Sequence, residues 1–275
     1  MTLTWTHPEI TDAIQRALAE DIGTGDITTN TCIPEGVRAS GVFLAREPLV
    51  VAGVELLAEI YDDEQLEIVT ESGASVESDA VMARVAGSAR RLLTLERTAL
   101  NFLQRLSGIA TLAAQFVAAV DGTGCDVLDT RKTTPGLRRL EKLAAQAGGV
   151  KNHRLGLYDA VLIKNNHISA AGGVRAALDC FHSSGLPVEI EVRSFAELED
   201  AMIAGAKHVL LDNFTPSDVR AAMAKMAGRT EVEVSGGITL ENVREYAEAG
   251  ADYVSSGAIS HSARAMDISF RLERE

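Results

Sequence analysis

The chain has 275 residues, of which 46% are hydrophobic and only 4% aromatic, and its formal net charge is −13. These values are typical of a soluble protein with a full core, whereas the acidic balance and the scarcity of aromatic rings argue against a nucleic-acid partner. No apolar run reaches the roughly 20 residues that a membrane helix needs, and the N-terminus has no signal-peptide pattern. The three cysteines are widely spaced and form no CxxC pair, so we expect a cytoplasmic protein without a disulfide framework.

The N-terminal part of the chain predicts a small α+β domain. An amphipathic helix begins near Thr6, and a second helix is predicted near Val54–Tyr61. Between them, Glu20–Asp26 combines two glycines with three carboxylates and is interpreted as a turn rather than a metal loop. Three strand-like runs complete the domain: Ala39–Arg46, Leu66–Thr70 and Val81–Ala86.

A long amphipathic helix is predicted next, from Arg90 to Val120. Arg91, Arg97 and Arg105 lie off its apolar stripe. On the helical pattern alone these arginines are interpreted as a solvated face.

After Val120 the pattern changes to alternating strands and helices. The predicted strands are Cys125–Asp129, Ala160–Lys164, Val188–Val192, His208–Asp212, Glu231–Ser235 and Asp252–Ser256. The predicted helices are Leu137–Ala147, Gly173–His182, Phe195–Ala204, Ser217–Met226 and Leu240–Ala249. This alternation predicts a parallel sheet with crossover helices, either an open doubly wound sheet or a closed barrel. No GxGxxG sequence follows any of the strands, which weakens a dinucleotide-binding interpretation.

All six predicted strands end in polar or glycine-rich signals. These are Asp129–Lys132, Lys164–His167, Glu191, Asp212–Asn213, Ser235–Gly237 and Ser255–Gly257. Because the carboxyl ends of barrel strands face the active site, we expect these residues to converge on one mouth.

A cationic window lies among these signals. Residues 131–164 contain eight basic and two acidic side chains, a net charge of +6 in an acidic protein. Such an island predicts a local pocket for a small polyanion.

The charged candidates fall into two groups. Arg131, Lys132, Arg154 and Lys164 supply positive charge for carboxylates or phosphates. Glu191 and Asp212 are candidate ligands for Mg2+, which prefers oxygen donors and accepts substrate phosphates in its shell.

Glycine loops and histidines complete the candidates. The loops Ser235-Gly236-Gly237 and Ser256-Gly257-Ala258 are candidate phosphate sites, because glycine lets backbone N–H groups approach a phosphate closely. His153 lies in the cationic window and is either a substrate contact or a structural residue. His167 is interpreted as structural, donating to a nearby backbone group. No GxSxG, HExxH or Walker lysine motif is present, so the composition of the site favours transfer from a phosphorylated, Mg2+-bound sugar to a carboxylated acceptor.

Long stretches of the chain resemble one family, the quinolinate phosphoribosyltransferases, or carboxylating nicotinate-nucleotide pyrophosphorylases. The stretches are EDIGTGDITT (20–29), LERTALNFLQRLSGIAT (95–111), TRKTTPGLR (130–138), KNHRLGLYDAVLIKNNHI (151–168), LLDNF (210–214), VSGGI (234–238) and SSGAISHS (255–262). The resemblance implies an α/β fold with an N-terminal α/β (α+β) sandwich domain and an incomplete parallel α/β barrel. It places the sandwich at 1–107, joined by 268–275, and the catalytic barrel at 108–267. It also implies a homodimer, with a higher oligomer left open, in which one subunit's N-terminal domain closes the other's barrel.

The resemblance further implies transfer of phosphoribosyl from phosphoribosyl pyrophosphate (PRPP) to quinolinate with loss of CO2, in the de novo synthesis of NAD. Quinolinate would be held by Thr130, Arg131, His153, Arg154 and Lys164, and by Arg97 from the partner subunit, which replaces the solvated interpretation of Arg97. Lys132 would contact PRPP, Glu191 and Asp212 would hold the ribose and Mg2+, and the two glycine loops would bind the 5′-phosphate. The resemblance gives His261 no firm role.

Two positions depart from the family's usual pattern. Ala147 stands where a cysteine is usual and Val150 where a glycine is common, which concerns loop geometry rather than charge.

Three alternative functions remain at this point. The molybdenum-associated paralogue usually lacks a lysine at the position of Lys164, and a nicotinate phosphoribosyltransferase needs fewer carboxylate-binding cations. A non-catalytic anion-binding module would not require Glu191, Asp212 and both glycine loops together.

Overall fold

The computed structural model describes residues 3–226, 228 and 230–274, and the chain forms two compact units. The first unit contains the chain up to Ala114, together with Thr133–Gly149 and the stretch from Ile259 onward. The second unit contains Gln115–Lys132 and Val150–Ala258. The fold class is the predicted one, an antiparallel-sheet N-terminal part and a parallel-sheet C-terminal part. The domain boundaries at 107 and 267 stay a prediction.

The elements agree with most of the predicted ones within a few residues. The helices are α1 (Pro8–Ile22), α2 (Ile27–Cys32), α3 (Leu57–Ile60), α4 (Ala89–Val120), α5 (Arg138–Ala147), α6 (Asn165–Ala171), α7 (Val174–Asp179), α8 (Phe195–Ile203), α9 (Pro216–Met226), α10 (Val243–Glu248) and α11 (Ala258–His261). The strands are β1 (Arg38–Ala45), β2 (Leu49–Val50), β3 (Gln65–Ile68), β4 (Ser75–Val76), β5 (Val81–Ser88), β6 (Asp126–Leu128), β7 (Val161–Ile163), β8 (Val188–Val192), β9 (His208–Asp212), β10 (Glu231–Ser235), β11 (Tyr253–Ser255) and β12 (Ile268–Arg274).

Local chemistry sets the first helix boundaries. Pro8 lies in the first turn of α1, and the N-cap is His7, whose ring nitrogen accepts from Glu9 N at 3.2 Å. The cap is therefore one residue later than the predicted Thr6. Gly23 ends α1, and Asp26 caps α2 by accepting from Thr29 N at 2.9 Å, so part of the predicted acidic turn begins a short helix that the sequence pattern missed.

The antiparallel sheet of the first unit has the strand order β12-β1-β5-β3. Its core contains Phe43 of β1, fully buried, with its ring centroid 4.7 Å from that of Phe270 on β12 and 6.1 Å from that of Tyr61. A Cβ at Gly41 would lie 2.0 Å from the Phe270 ring, so only glycine lets β1 and β12 pair here without a shift of that ring. The C-terminal strand is thus part of the N-terminal sheet.

Helix α4 is the longest helix of the chain's described part. Its hydroxyls bind the backbone of the preceding segment: Ala52 N donates to Ser107 Oγ at 3.1 Å, and Val50 N donates to Thr111 Oγ1 at 2.9 Å. By length and composition α4 could cross a membrane, but 50% of its most apolar window is buried inside the protein. A buried core helix passes the same test of length and composition.

The cationic window does not form one island. Arg139 of α5 pairs with Glu9 at 2.8 Å, and Arg138 Nε donates to Thr133 Oγ1 at 3.1 Å, both within the first unit. Lys142 of α5 is fully buried, and Lys151 pairs with Asp126 at 2.5 Å on the surface. Half of the eight cations thus have structural positions outside the strand-end pocket, which the summed charge could not show.

The second unit contains the six-stranded parallel sheet, in the order β6-β11-β10-β9-β8-β7. In chain order, β6 is the first strand of this sheet and β11 the last, and these two strands pair, as in a barrel. A single bridge from Leu128 to Lys151 lies on the other side of β6. The six strands thus follow the order of an incomplete barrel that stays open between β6 and β7. This order decides between the two layouts that the alternation allowed.

Candidate active site

A pocket of about 190 Å³ opens at the carboxyl ends of the parallel strands. Each strand of this sheet supplies lining residues or is followed by them. The lining residues are Thr130, Arg131, Lys132, His153, Arg154, Leu162, Lys164, Glu191, Leu210, Asp212, Glu233, Ser235, Gly236 and Ser255. The predicted convergence of the strand ends is therefore present in the fold.

Two guanidinium groups carry the positive charge of one side of the pocket. Burial and the positive charge of Arg131 lower the pKa of Arg154, so the two arginines are close enough to interact. Arg131 Nε is buried and has no hydrogen-bond partner among the described residues. Like charges brought together and an unpaired buried donor are costly unless an anion offsets them, so this side of the pocket is suited to a carboxylate.

Two carboxylates and a lysine form the other side. Lys164 follows β7, and its Nζ donates to Glu191 Oε2 at 2.7 Å. Burial and the negative charge of Glu191 raise the pKa of Asp212, while the charge of Lys164 lowers it. Oxygen donors on the adjacent strands β8 and β9 are the ligand type that Mg2+ prefers.

His167 caps the helix that follows Lys164. Its Nδ1 accepts from Lys164 N at 2.9 Å at the start of α6. The structural interpretation of His167 agrees with this contact, but the predicted direction was wrong, because the ring accepts a hydrogen bond from the backbone. The contact fixes the backbone from which the Lys164 side chain extends.

The loop after β10 has a backbone that favours glycine. Gly236 has φ +98° and Gly237 has φ +64°, and a Cβ on Gly236 would lie 2.3 Å from Asn213 Oδ1. Asn213 itself has φ +60°. The loop after β11 is linked to it, because Ser256 is buried and its Oγ donates to Ile238 O at 2.8 Å.

His153 belongs to a partly buried polar cluster at the pocket wall. Its Nε2 lies 3.2 Å from Glu189 Oε2 and 3.4 Å from Glu233 Oε2, and Ser255 Oγ donates to Glu233. Burial would lower the pKa of His153, but the hydrogen bonds and charges of the two glutamates outweigh it and raise that pKa. At Nδ1 the backbone N–H of Arg154 opposes protonation, since it donates to this atom at 2.7 Å. Two N–H groups cannot face each other at that distance, so Nδ1 carries no proton while this contact is formed.

The comparisons with known proteins cover nearly all of the chain. Residues 26–107 match the quinolinate phosphoribosyl transferase N-terminal domain, and residues 109–271 match the C-terminal domain. The chain belongs to the quinolinate phosphoribosyltransferase family. The nicotinate-nucleotide pyrophosphorylase (carboxylating) of Mycobacterium leprae is 42% identical over 273 residues, which cover 95% of this chain and 96% of that protein. A chloroplastic enzyme of the same name from Oryza sativa is 39% identical, over 98% of this chain and 80% of the relative.

Solved structures agree with this family membership. The nicotinate-nucleotide pyrophosphorylase of Francisella tularensis is 36% identical with a TM-score of 0.93, covering 97% of this chain and 96% of that one. The Ehrlichia chaffeensis enzyme of that name is 34% identical with a TM-score of 0.93, covering 99% and 100%. A human nicotinic acid phosphoribosyltransferase, at 14% identity and a TM-score of 0.59, shares the fold alone.

Ten of the predicted site residues line the pocket of this family member. Gly237, Ser256, Gly257 and Ala258 lie in the two glycine loops but are not part of the lining. Arg97 lies exposed on α4 in the first unit. His261 is also exposed, and its Nδ1 lies 2.7 Å from Ser262 Oγ. The roles assigned to these residues stay predictions.

Sequence reasoning missed three lining residues, Leu162, Leu210 and Glu233, whereas Ser255 was predicted at the strand-end mouth without a role of its own. A signal for the carboxylates was available, because β8 reads VEIEV and β10 reads EVEVS. Side chains alternate along a strand, so Glu189 lies on the same face as Glu191, and Glu233 on the same face as Ser235. A glutamate within an otherwise apolar inner strand indicates a polar layer beneath the strand ends.

Proposed function

We propose that this chain is a quinolinate phosphoribosyltransferase, which converts quinolinate and PRPP to nicotinate mononucleotide, pyrophosphate and CO2 in NAD synthesis. The observation that carries the proposal is one pocket with cationic groups on one side and two carboxylates on the other, at the strand ends of a chain in this family. The acidic surface charge of the chain does not hinder an anionic substrate, because the cations are concentrated in the pocket.

Recognition of quinolinate follows from the cationic side. Arg131 and Arg154 offer planar groups with several N–H donors, which suit two adjacent carboxylates. Lys164, which donates to Glu191 on the carboxylate side of the pocket, adds a third positive charge. Thr130 and His153 complete the acid-binding residues that we propose. With the carboxylates bound, the unpaired Arg131 Nε gains a partner and the repulsion between the guanidinium groups is offset.

Recognition of PRPP follows from the other side. Lys132 would bind a phosphate, and Glu191 and Asp212 would bind the ribose hydroxyls and Mg2+, whose charge would stabilise the departing pyrophosphate. Both glycine loops, from Ser235 and from Ser256, would bind the 5′-phosphate through backbone N–H groups. The hydrogen bond from Ser256 to the first loop supports their joint action.

The reaction then needs few proton transfers. The pyridine nitrogen, held in line by the arginines, forms the bond to ribose C1 as the bond from C1 to pyrophosphate breaks. Glu191 and Asp212 stabilise the positive charge that develops on the ribose. The pyridinium ring then accepts the electron pair of the adjacent carboxylate bond, CO2 leaves, and the ring carbon takes a proton from solvent. No side chain of the pocket has to act as a general base.

The assembly and location are part of the same proposal. We propose a cytoplasmic homodimer in which Arg97 of one subunit reaches the pocket of its partner. Two observations support this role for Arg97: it is exposed on α4, and its stretch LERTALNFLQ resembles the family's motif.

The test of this proposal compares Arg131→Ala with a control at the other end of the sheet. Loss of this partly buried guanidinium should lower kcat/KM for quinolinate by about 10³-fold, or roughly 4 kcal/mol of transition-state stabilisation. The control is Lys207→Ala, an exposed lysine before β9 that does not line this pocket, and it should change kcat/KM less than twofold. Near-normal kcat/KM in Arg131→Ala would refute the site assignment. Removal of divalent cations with EDTA should abolish turnover, and Mg2+ should restore it.

A further inference from the structure

The polar cluster around His153 has contacts on both sides of the imidazole. Nε2 faces Glu189 and Glu233, and Nδ1 accepts from the backbone N–H of Arg154 at 2.7 Å. The backbone of His153 is fixed as well, because its N–H donates to Asp129 Oδ1 at 2.9 Å. Asp129 is buried at the end of β6.

These contacts determine the tautomer of the ring. An Nδ1 that accepts from Arg154 N carries no proton, so the ring proton is on Nε2 and points to the two glutamates. Both nitrogens then have protein partners in this arrangement. His153, Glu189 and Glu233 could also ligate a metal ion, since their donor atoms lie within 4.8 Å of one another. However, Nε2 already bonds to the carboxylates, and Ser255 donates to one of them, so a proton satisfies this cluster.

The Arg154 guanidinium depends on this backbone. Arg154 is the residue next to His153, and its Nη1 donates to Ala160 O at 3.3 Å, a long contact. The negative charges of Asp159 and Glu189 also act on its guanidinium. The rigid inner strands β8 and β10 carry Glu189 and Glu233. A chain of contacts therefore runs from two strands of the sheet through the imidazole to the backbone of Arg154.

We infer that Glu189 and Glu233 are positioning residues, which hold the His153 imidazole so that it fixes Arg154 in the acid-binding side of the pocket. The inference rests on the proposed function and deepens it. It assigns His153 a role through Arg154, beside the carboxylate contact proposed for it above. The ligand class concerned is the pyridine dicarboxylate, and PRPP is not affected.

The kinetic test uses Glu189→Gln and Glu233→Gln, with Glu231→Gln as the matched control. Glu231 lies on the same strand as Glu233 and also pairs with a histidine, His208, at 3.0 Å, but it does not line the pocket. The two inner variants should raise KM for quinolinate about tenfold and leave KM for PRPP within twofold. The control should change neither. Equal increases of both KM values, or no increase for quinolinate, would overturn the inference.

A double-mutant cycle tests whether the glutamates act through Arg154. In an Arg154→Lys background, Glu233→Gln should add less than a twofold change in KM for quinolinate, because the residue that it positions is already lost. Ser255→Ala offers a milder variant, with a smaller increase, if a glutamate variant does not fold. Multiplicative effects in the double variant would show that Glu233 acts independently and would overturn the inference.

An independent readout does not require turnover. With 15N-labelled histidine, the long-range 1H–15N spectrum of the whole protein near pH 7.5 should show His153, assigned by loss of its signals in His153→Gln, as the tautomer protonated on Nε2 only. A proton on Nδ1 would overturn the inference. Failure of the proposed function is distinguishable, because it would appear as a wild-type protein that turns over no quinolinate, whatever the tautomer of His153.

Discussion

Gly236 lies where the backbone leaves β10 toward the proposed phosphate loop. Its φ of +98° is in the left-handed region, and a Cβ would lie 2.3 Å from Asn213 Oδ1 and 2.9 Å from Asn213 N. Asn213 follows Asp212, so a displaced Asn213 would also shift one of the proposed Mg2+ ligands. The glycine therefore couples the loop geometry to the carboxylate side of the pocket.

Substitution of Gly236 by alanine should affect PRPP before quinolinate. The strained φ and the contact with Asn213 should together cost about 1 to 3 kcal/mol, partly in stability and partly in a KM for PRPP that rises more than the KM for quinolinate. Steady-state kinetics with each substrate varied would measure this. The control is Gly185→Ala, because a Cβ at Gly185 meets nothing within 4 Å and its φ is not positive. A larger effect on quinolinate than on PRPP would contradict the assignment of this loop.

At the level of elements, the pairing of α4 with α5 depends on an ion pair whose carboxylate is buried and whose arginine is partly exposed. Arg105 Nη2 donates to Glu141 Oε1 at 2.9 Å, and Glu141 has no exposed side-chain surface. Arg105 also donates to the carbonyl oxygens of Ser260 and Ala263. The predicted solvated face was therefore wrong for Arg105, because its partners come from parts of the chain far apart in sequence.

Removal of Arg105 should destabilise the first unit strongly. Arg105→Leu leaves the buried carboxylate of Glu141 without its cation, a change that typically costs about 3 to 5 kcal/mol. Urea unfolding would measure it, with Arg84→Leu as the control. Arg84 pairs with Glu67 at 3.5 Å, and both side chains are at least half exposed, so its loss should cost less than about 1 kcal/mol. Equal losses in both variants would contradict the structural role of the α4–α5 pair.

Sequence patterns predicted the elements that have a clear period. The buried strands β8, β9 and β10 were predicted residue for residue, because short apolar runs bounded by turn signals leave little choice of boundary. The short elements α2, α6, α11, β2 and β4 were missed, since two to seven residues carry no detectable period. Their formation depends on local caps, such as Asp26 for α2 and His167 for α6.

The site was predictable to a different extent. The strand-end residues were found because the fold class alone brings them together. The sequence could not predict which cations of the window would line the pocket and which would lie elsewhere. Arg139 and Lys142, for example, lie on a helix that packs in the first unit. The layer of Glu189 and Glu233 was also missed, because a charged residue inside a strand has no assigned partner until the strands are in register.

At the scale of the whole molecule, the proposed dimer predicts complementation between two inactive variants. In a mixed dimer of Arg97→Ala and Arg131→Ala subunits, one pocket would receive its intact Arg131 from its own chain and its intact Arg97 from the partner. The other pocket would lack both arginines. If each pocket uses its partner's Arg97, mixing and reassociation at equal amounts should restore about a quarter of wild-type activity, since half of the dimers are mixed and each has one intact pocket.

The comparison with unmixed samples makes this result interpretable. Arg97→Ala and Arg131→Ala should each be nearly inactive alone, and each should be dimeric by sedimentation. An Arg97 that served its own chain's pocket would leave every pocket of the mixed dimer defective. Absence of recovered activity in mixed dimers would therefore contradict the shared site.

The measurement that tests the central claim most directly is a turnover assay with PRPP and Mg2+, run in parallel with quinolinate and with nicotinate. The mononucleotide and released CO2 are followed together. We expect one CO2 for each mononucleotide formed from quinolinate, and no product from nicotinate, because the cationic side of the pocket is built for two carboxylates. Product from nicotinate alone, or no product from either with folded protein, would contradict the proposed function.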